Sequence, residues 1–238
     1  MSTQTTNASH AISTLNEKPL HAALKEWYAL PGDRFEVPVD GSLIDIVRGD
    51  LLIEIQTRGF GALRRKLQKL TASHRVRLVH PIAQEKWIVR ESPDGRKQLG
   101  RRRSSRRGTV EHLFSELVRI PALMAHPNFS LELLMVSEEE VRRKDGGRHW
   151  RRRGWATHER RLIDVLDRWI FETPDDLGDL LPPGLPDPFT TADLAAALGH
   201  PRSLAQQMTY CLRAMGTIES VGKIGRTILY RCAAAQRP

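Results

Sequence analysis

Residues 42–58, SLIDIVRGDLLIEIQTR, constrain this chain more than any other segment. Gly49-Asp50 divides them into two apolar runs of strand length, and each run holds one acid: Asp45 in Leu43-Ile44-Asp45-Ile46-Val47, Glu54 in Leu51-Leu52-Ile53-Glu54-Ile55. A carboxylate in such a run is costly to bury unless it is paired or ligates a metal. Brought to one end of a hairpin, the two acids offer oxygen ligands to a hard divalent cation, Mg²⁺ or Mn²⁺. A cation so held can activate water against a phosphodiester. The other reading of the same residues is a purely structural pair.

The flanks supply the rest of a small α/β unit. Residues 19–30 read as a helix with Leu20, Ala23, Leu24 and Trp27 on one face, ended by Pro31-Gly32-Asp33. Residues 34–39 form a strand candidate. After Gly59, residues 62–73 carry Leu63, Leu67 and Leu70 at helical spacing. Residues 76–82 and 86–90 are two further strand candidates. His80, before Pro81 in an apolar run, reads as a core histidine.

This order, helix-strand-strand-strand-helix-strand, with Asp45 on one strand and Glu54 followed by Gln56 on the next, resembles the core of the PD-(D/E)XK nuclease superfamily over residues 20–90. The resemblance implies that Asp45, Glu54 and the Ile55 carbonyl hold Mg²⁺ or Mn²⁺. It places a further metal-site acid on the first helix, where Glu26 stands; a solvated helix acid is the alternative. Gln56 occupies the place of the family's lysine and brings no charge. Arg58, Lys66 or Lys69 would have to supply it, and Lys66 lies where some relatives place a migrated lysine. Other enzyme signatures are absent: there is no Gly-rich phosphate loop and no Gly-x-Ser-x-Gly.

The formal charge of the 238 residues is +9, which points to a polyanionic partner. Two runs concentrate it. Arg101, Arg102, Arg103, Arg106 and Arg107 fall within seven residues, and Arg151, Arg152 and Arg153 follow His149-Trp150. Each run reads either as a phosphate clamp or as a solvated loop. Between them, residues 109–124 read as a helix interrupted by Pro121. Residues 131–136 read as an edge strand or sheet extension, and Ser137-Glu138-Glu139-Glu140 as a helix start.

The C-terminal part reads as a helix at 158–171 (stripe Leu162, Val165, Leu166, Trp169, Ile170) and a Pro- and Asp-rich loop at 173–188. A helix capped by Thr190 or Thr191 and ended by Gly199 follows, then a turn, a helix at 203–215, and two strands around Gly222-Lys223-Ile224-Gly225. From residue 160 to 232 this order resembles the winged-helix fold. The resemblance implies major-groove contacts from Arg202, Gln206, Gln207, Tyr210 and Arg213, and backbone contacts from Lys223 and Arg226 on the wing. Winged helices also serve as protein-binding or dimer modules.

The expectation is therefore an α/β chain of the α+β kind. It has a disordered tail at 1–18, a restriction-endonuclease-like αβββαβ domain with a basic insertion at 19–155, and a winged helix-turn-helix domain at 156–238. The implied function is metal-dependent DNA cleavage. The alternatives are an inactive nuclease-fold DNA-binding regulator and a protein-interaction adaptor. DNA is the expected partner and a homodimer is compatible with the family. No run is apolar enough to span a membrane. The tail lacks the basic start and apolar core of a signal peptide. Cys211 and Cys232 offer neither a disulfide framework nor zinc spacing. A cytoplasmic, nucleoid-associated protein fits. The pattern as a whole resembles an uncharacterised bacterial family of restriction-endonuclease-like proteins.

Overall fold

The computed structural model describes residues 18–144 and 154–233. Chain order begins with helix α1 (Pro19–Tyr28), strands β1 (Arg34–Val39), β2 (Ser42–Arg48) and β3 (Leu51–Ile55), helix α2 (Phe60–Thr71) and strand β4 (Arg75–Glu91). This is the element order expected from the sequence. Pro19 opens α1 where a missing N–H costs nothing, and Leu20, Leu24 and Tyr28, spaced by four, are its buried residues. Asp40 and Gly41 both have positive φ, 49° and 75°. That is the backbone a two-residue hairpin turn needs between Val39 and Ser42.

The chain continues with β5 (Gln98–Arg103), a 3-10 turn (Val110–Leu113), the short helix α3 (Phe114–Leu117), a second 3-10 turn (Pro121–Ala125) and the long strands β6 (Phe129–Lys144) and β7 (Trp155–Phe171). One mixed sheet has the order β1-β2-β3-β4-β6-β7, with β5 pairing the far half of β4. β3 and β6 both run parallel to β4. Such strands are covered on both faces and read as unbroken apolar runs, and residues 129–138 of β6 are all buried.

On one face α1 packs Leu20, Leu24 and Tyr28 against Ile46, Ile53, Ile55, Val79, Leu134 and Val136. On the other lie α2, α3 and the two 3-10 turns. There the core runs on without a break into the C-terminal elements through Phe189, Leu194, Met208 and Leu212. Those elements are α4 (Pro174–Gly178), α5 (Thr191–Leu198), α6 (Arg202–Met215) and the hairpin β8 (Ile218–Ile224) and β9 (Thr227–Cys232). Thr190 caps α5 by accepting from the Ala192 and Asp193 amides, and Gly199 ends it with φ 65°. The helix-turn-helix and hairpin fall where the sequence placed them.

Several expectations fail, each for a visible reason. Residues 158–171 are not a helix but belong to β7, paired with β6 along its whole length, so the unit that begins the C-terminal part starts after Phe171 and not at residue 156. Three register shifts along that pairing break the alternation of the strand and leave a spacing that imitates a helix. Leu162 and Val165 pack beside α1, whereas Ile163, Leu166, Trp169 and Ile170 remain exposed on the sheet edge. Residues 131–136 are consequently interior, not an edge. Ser137–Glu140 continue β6 instead of starting a helix, because Lys86, Arg142 and Arg160 pair their glutamates. The two strand candidates at 76–82 and 86–90 are one strand with a bulge between Ala83 and Glu85. Residues 109–124 form broken turns in place of one helix, and Pro121 opens the second. Arg101–Arg103 lie in β5, not in a loop. Arg151, Arg152, Arg153 and the 1–17 part of the tail lie outside the described residues.

Candidate functional site

The β2–β3 ladder runs from Arg48↔Leu51 to Ile46↔Ile53 and stops. One step further, Asp45 and Glu54 are the next residues on their strands. Asp45 replaces the missing ladder acceptor with its side chain: its Oδ2 accepts the Ile55 amide at 2.8 Å. The same oxygen meets His21 Nε2, from α1, at 3.2 Å. Glu54 is 4% exposed, and its Oε1 forms an ion pair with Lys66 Nζ, from α2, at 2.5 Å. Lys66 also donates to the Leu43 carbonyl of β2. Lys25, also from α1, pairs with Glu36 Oε1 at 3.0 Å, and Glu36 holds φ 52° inside β1. A bulky side chain in that region is strained, and strain of this kind gathers at functional sites.

The two carboxyls are driven apart in acidity. Burial opposes ionisation of Asp45, but His21, the Ile55 amide and Lys25 together hold it below the usual carboxylate range. Burial, and then the charge of Asp45, push Glu54 up to about 7 despite Lys66. Two acids in one site whose acidities diverge are the pattern of neighbouring carboxyls that resist ionising together. No cluster of three or more His, Cys, Asp or Glu side chains able to cage a metal occurs among the described residues. Two carboxylates, Asp45 and Glu54, come together at the end of the ladder. This suits a hard cation that keeps waters and takes phosphate oxygens, and not an all-protein cage.

Helix α2 is positioned for this role from outside. Its N-cap Gly59 offers no side chain, and Glu116 of α3 accepts from the Gly59 and Phe60 amides at 2.9 and 3.1 Å. A carboxylate at the positive end of the helix dipole is favourable, and it fixes the helix that presents Lys66.

Two expected members are not in the cluster. Glu26 is exposed on α1; the α1 residues that reach the site are His21 and Lys25, four apart, because those positions flank the buried Leu20–Leu24–Tyr28 stripe. Gln56 turns its side chain to the following loop, donating to the Arg58 carbonyl at 2.6 Å and to Gly59 at 3.5 Å. Its own carbonyl lies 2.6 Å from His80 Nδ1. Burial holds the His80 ring below its usual pKa, and it packs edge-on against Phe60 as a core histidine. Sequence alone marked neither His21 nor Lys25. A basic pair at i, i+4 beside an apolar stripe was the available signal. Lys69 reaches the Asp40 carbonyl, not the acids.

The expected nucleic-acid contacts divide into groups. Arg101 and Arg103 are paired with Glu139 and Glu85. Arg102, Arg106 and Arg107 are exposed without an acidic partner among the described residues. Arg58 is exposed beside the Gln56 loop and lines a small cavity of about 120 Å³ with Lys18 and His158. Arg202, Gln206, Tyr210, Arg213 and Arg226 line one groove of about 220 Å³ between α6 and the β8–β9 hairpin. The residues at 202, 206, 210 and 213 share one helical stripe, exposed along its length. Gln207 is half-buried and Lys223 exposed, and neither lines this groove. No helix among the described residues is long and apolar enough to cross a membrane.

No solved structure matches the chain. It is 31% identical over 224 residues, 92% of its own length and 87% of the relative's, to an uncharacterised protein of Treponema pallidum (strain Nichols). Residues 18–172, from the start of α1 to the end of β7, match the model of a domain of unknown function, DUF8091. That span takes in the whole sheet and both acids, and stops before the helix-turn-helix: the chain belongs to the DUF8091 family.

Proposed function

We propose that this protein is a metal-dependent DNA nuclease with a PD-(D/E)XK-like core, hydrolysing phosphodiester bonds and directed to DNA by a winged-helix module made of α5, α6 and the β8–β9 hairpin. The observation that carries the reading is the meeting of Asp45, Glu54 and Lys66 where the β2–β3 ladder ends. Asp45 and Glu54, with the Ile55 carbonyl, are the residues that would hold Mg²⁺ or Mn²⁺. When bound, the cation supplies a Lewis acid that activates water and offsets charge on the scissile phosphate. Lys66 brings the positive charge that Gln56 cannot, from a helix instead of the strand. His21 and the Ile55 amide hold Asp45 ionised and aimed. The groove of Arg202, Gln206, Tyr210, Arg213 and Arg226 is the DNA-reading surface.

One observation favours a second reading, an inactive nuclease fold retained for DNA binding. The Gln56 amide is engaged by the carbonyls of its own loop, at Arg58 and Gly59, and makes no hydrogen bond to either acid.

The test is purified protein with single-stranded, duplex and branched DNA in Mg²⁺, Mn²⁺ or EDTA, beside Asp45→Ala, Glu54→Ala, Lys66→Ala and Lys66→Arg. The expected result is metal-dependent cutting abolished by either acid substitution. Cutting falls by a factor of order 10²–10³ in Lys66→Ala, the range for loss of one charge-stabilising group, and is partly restored in Lys66→Arg. Binding without cutting under every metal condition would give the second reading the field.

A further inference from the structure

The groove between α6 and the hairpin does not end at α6. Tyr210, 48% exposed, lines it on one side and on its other side lines the largest cavity among those described, about 580 Å³. That cavity lies between α2, the Pro121–Ala125 turn and α6. Arg64 and Gln68 of α2, Arg119 and His126 contribute to its walls. Its volume is in the range of roughly 300–1,000 Å³ typical of ligand sites.

The charge is one-sided. Neither the groove nor the cavity has an acidic residue in its lining. Arg64, Arg119, Arg202, Arg213 and Arg226 make no ion pair among the described residues, in a protein where Arg77, Arg142, Arg143, Arg160 and Arg168 are all neutralised by glutamates. Unpaired guanidiniums lining one surface give it a positive potential. They are suited to an occupant that brings phosphates. The aromatic faces beside them, Tyr210 and His126, suit stacking on a base.

We infer that the cavity between α2, the Pro121–Ala125 turn and α6 is a nucleotide site for a DNA strand leaving the duplex gripped by α6. Arg64 and Arg119 pair its phosphates, and Tyr210 marks the junction between paired and unpaired DNA. The inference rests on the DNA-binding part of the proposed function and adds a substrate class, duplex with a single-stranded extension. It also links the two halves of the molecule: α2 carries Arg64 into the cavity and Lys66 to Glu54, two residues apart on one helix.

The experiment is fluorescence anisotropy of the full chain in EDTA, with blunt duplex, single strand and duplex bearing a 5′ or 3′ extension, each titrated with salt. The variants are Arg64→Ala/Arg119→Ala, the charge-keeping Arg64→Lys/Arg119→Lys, and Arg213→Ala/Arg226→Ala. Loss of two phosphate contacts to a single strand lowers the salt slope by about 1.4. The expected result is that Arg64→Ala/Arg119→Ala weakens extended duplex about tenfold or more with that change in slope and leaves blunt duplex nearly unaffected. The lysine pair retains most of the binding, which excludes misfolding as the cause. Equal affinity of Arg64→Ala/Arg119→Ala and the unmodified protein for every extended substrate overturns the inference, as does no DNA binding at all. Because metal is absent, a protein that shows the expected binding but never cuts DNA would sink the nuclease reading and leave this site standing.

Discussion

Two regions of the molecule carry arginine in quantity and treat it in opposite ways. Along the long strands β4, β6 and β7, buried acids absorb the charge. Glu132, 0% exposed, meets Arg168 at 2.6 Å and the Tyr28 hydroxyl at 2.6 Å. Glu138, also 0% exposed, meets Lys86 at 3.0 Å and Arg160. Glu91 takes Arg143 at 2.8 Å. Around α6, α2 and the hairpin, Arg64, Arg119, Arg202, Arg213 and Arg226 face solvent with no acid opposite among the described residues, although Arg231 on β9 pairs with Asp187. The first pattern is charge used inside a protein, where each ion is satisfied by its neighbour. The second is charge left for something else. The density of arginine in the sequence does not separate the two. The placement of glutamate across the sheet does.

The largest effect that sharpens this contrast is at Glu138. Removing one partner of a buried ion pair leaves the other buried and unpaired, which costs roughly 3–5 kcal/mol. Glu138→Ala strands Arg160 and leaves Lys86 with Glu140 alone; with both cations 26% exposed, it should lower the unfolding free energy read from a urea titration by an amount toward the low end of that range. Arg213→Ala/Arg226→Ala removes two charges from the exposed groove, one more than Glu138→Ala, and should still stay within about 0.5 kcal/mol of the unmodified protein. If the two proteins unfold at the same urea concentration, the division between paired and unpaired arginine is wrong.

Acid separates the regions next. Burial opposes ionisation of Glu140, but Arg142, Thr157 and Lys86 overrule it and hold the carboxyl at about 2, against an ordinary 4.5. The folded value is depressed, so the stabilisation is fully present above pH 4.5 and is lost as pH falls from there through about 2. Its size is on the order of 3 kcal/mol. Melting temperature followed from pH 7 to pH 2.5 should fall steeply below pH 4.5, and less steeply in Glu140→Gln. Identical acid profiles for the two proteins would remove Glu140 from the structural network.

What the sequence made legible follows from what is local. The α1-β1-β2-β3-α2-β4 order and the α5-turn-α6-hairpin order were readable because caps, glycine turns and short apolar runs act over a few residues. Thr190, Gly199 and Gly216 are examples. Asp45 and Glu54 were readable as acids out of place in apolar strands. The long strands were not. β7 owes its conformation to β6, and bulges in that pairing scatter its apolar residues into helical spacing. The glutamates at 138–140 look like a helix start until Lys86 and Arg160, distant in sequence, are placed opposite them. Lys66 was readable as a basic helix residue. That its ammonium turns inward to Glu54 depends on how α2 is docked, through Glu116. The end of the sheet is hidden in the sequence for the same reason as β7, since residues 158–171 carry helical spacing and yet form its last strand.

The smallest effect tests the boundary between the two regions, on β5, where neighbouring arginines alternate between faces. Arg101 stacks over Trp87, 3.9 Å from the ring centroid, and its Nε donates to Glu139 at 2.7 Å. Arg102 donates to the Arg103 carbonyl at 3.4 Å and meets no acid among the described residues. An exposed ion pair with a cation–π contact is worth about 0.5–1 kcal/mol. Arg101→Ala should therefore cost about that much in unfolding free energy while leaving the salt dependence of DNA binding untouched. Arg102→Ala should do the reverse, with unchanged stability and a salt slope smaller by about 1 if β5 lies along the DNA. If instead both substitutions lower the slope equally, Glu139 releases Arg101 when DNA arrives. Pairing with an acid would then be a resting state of the cation and not a mark of its purpose.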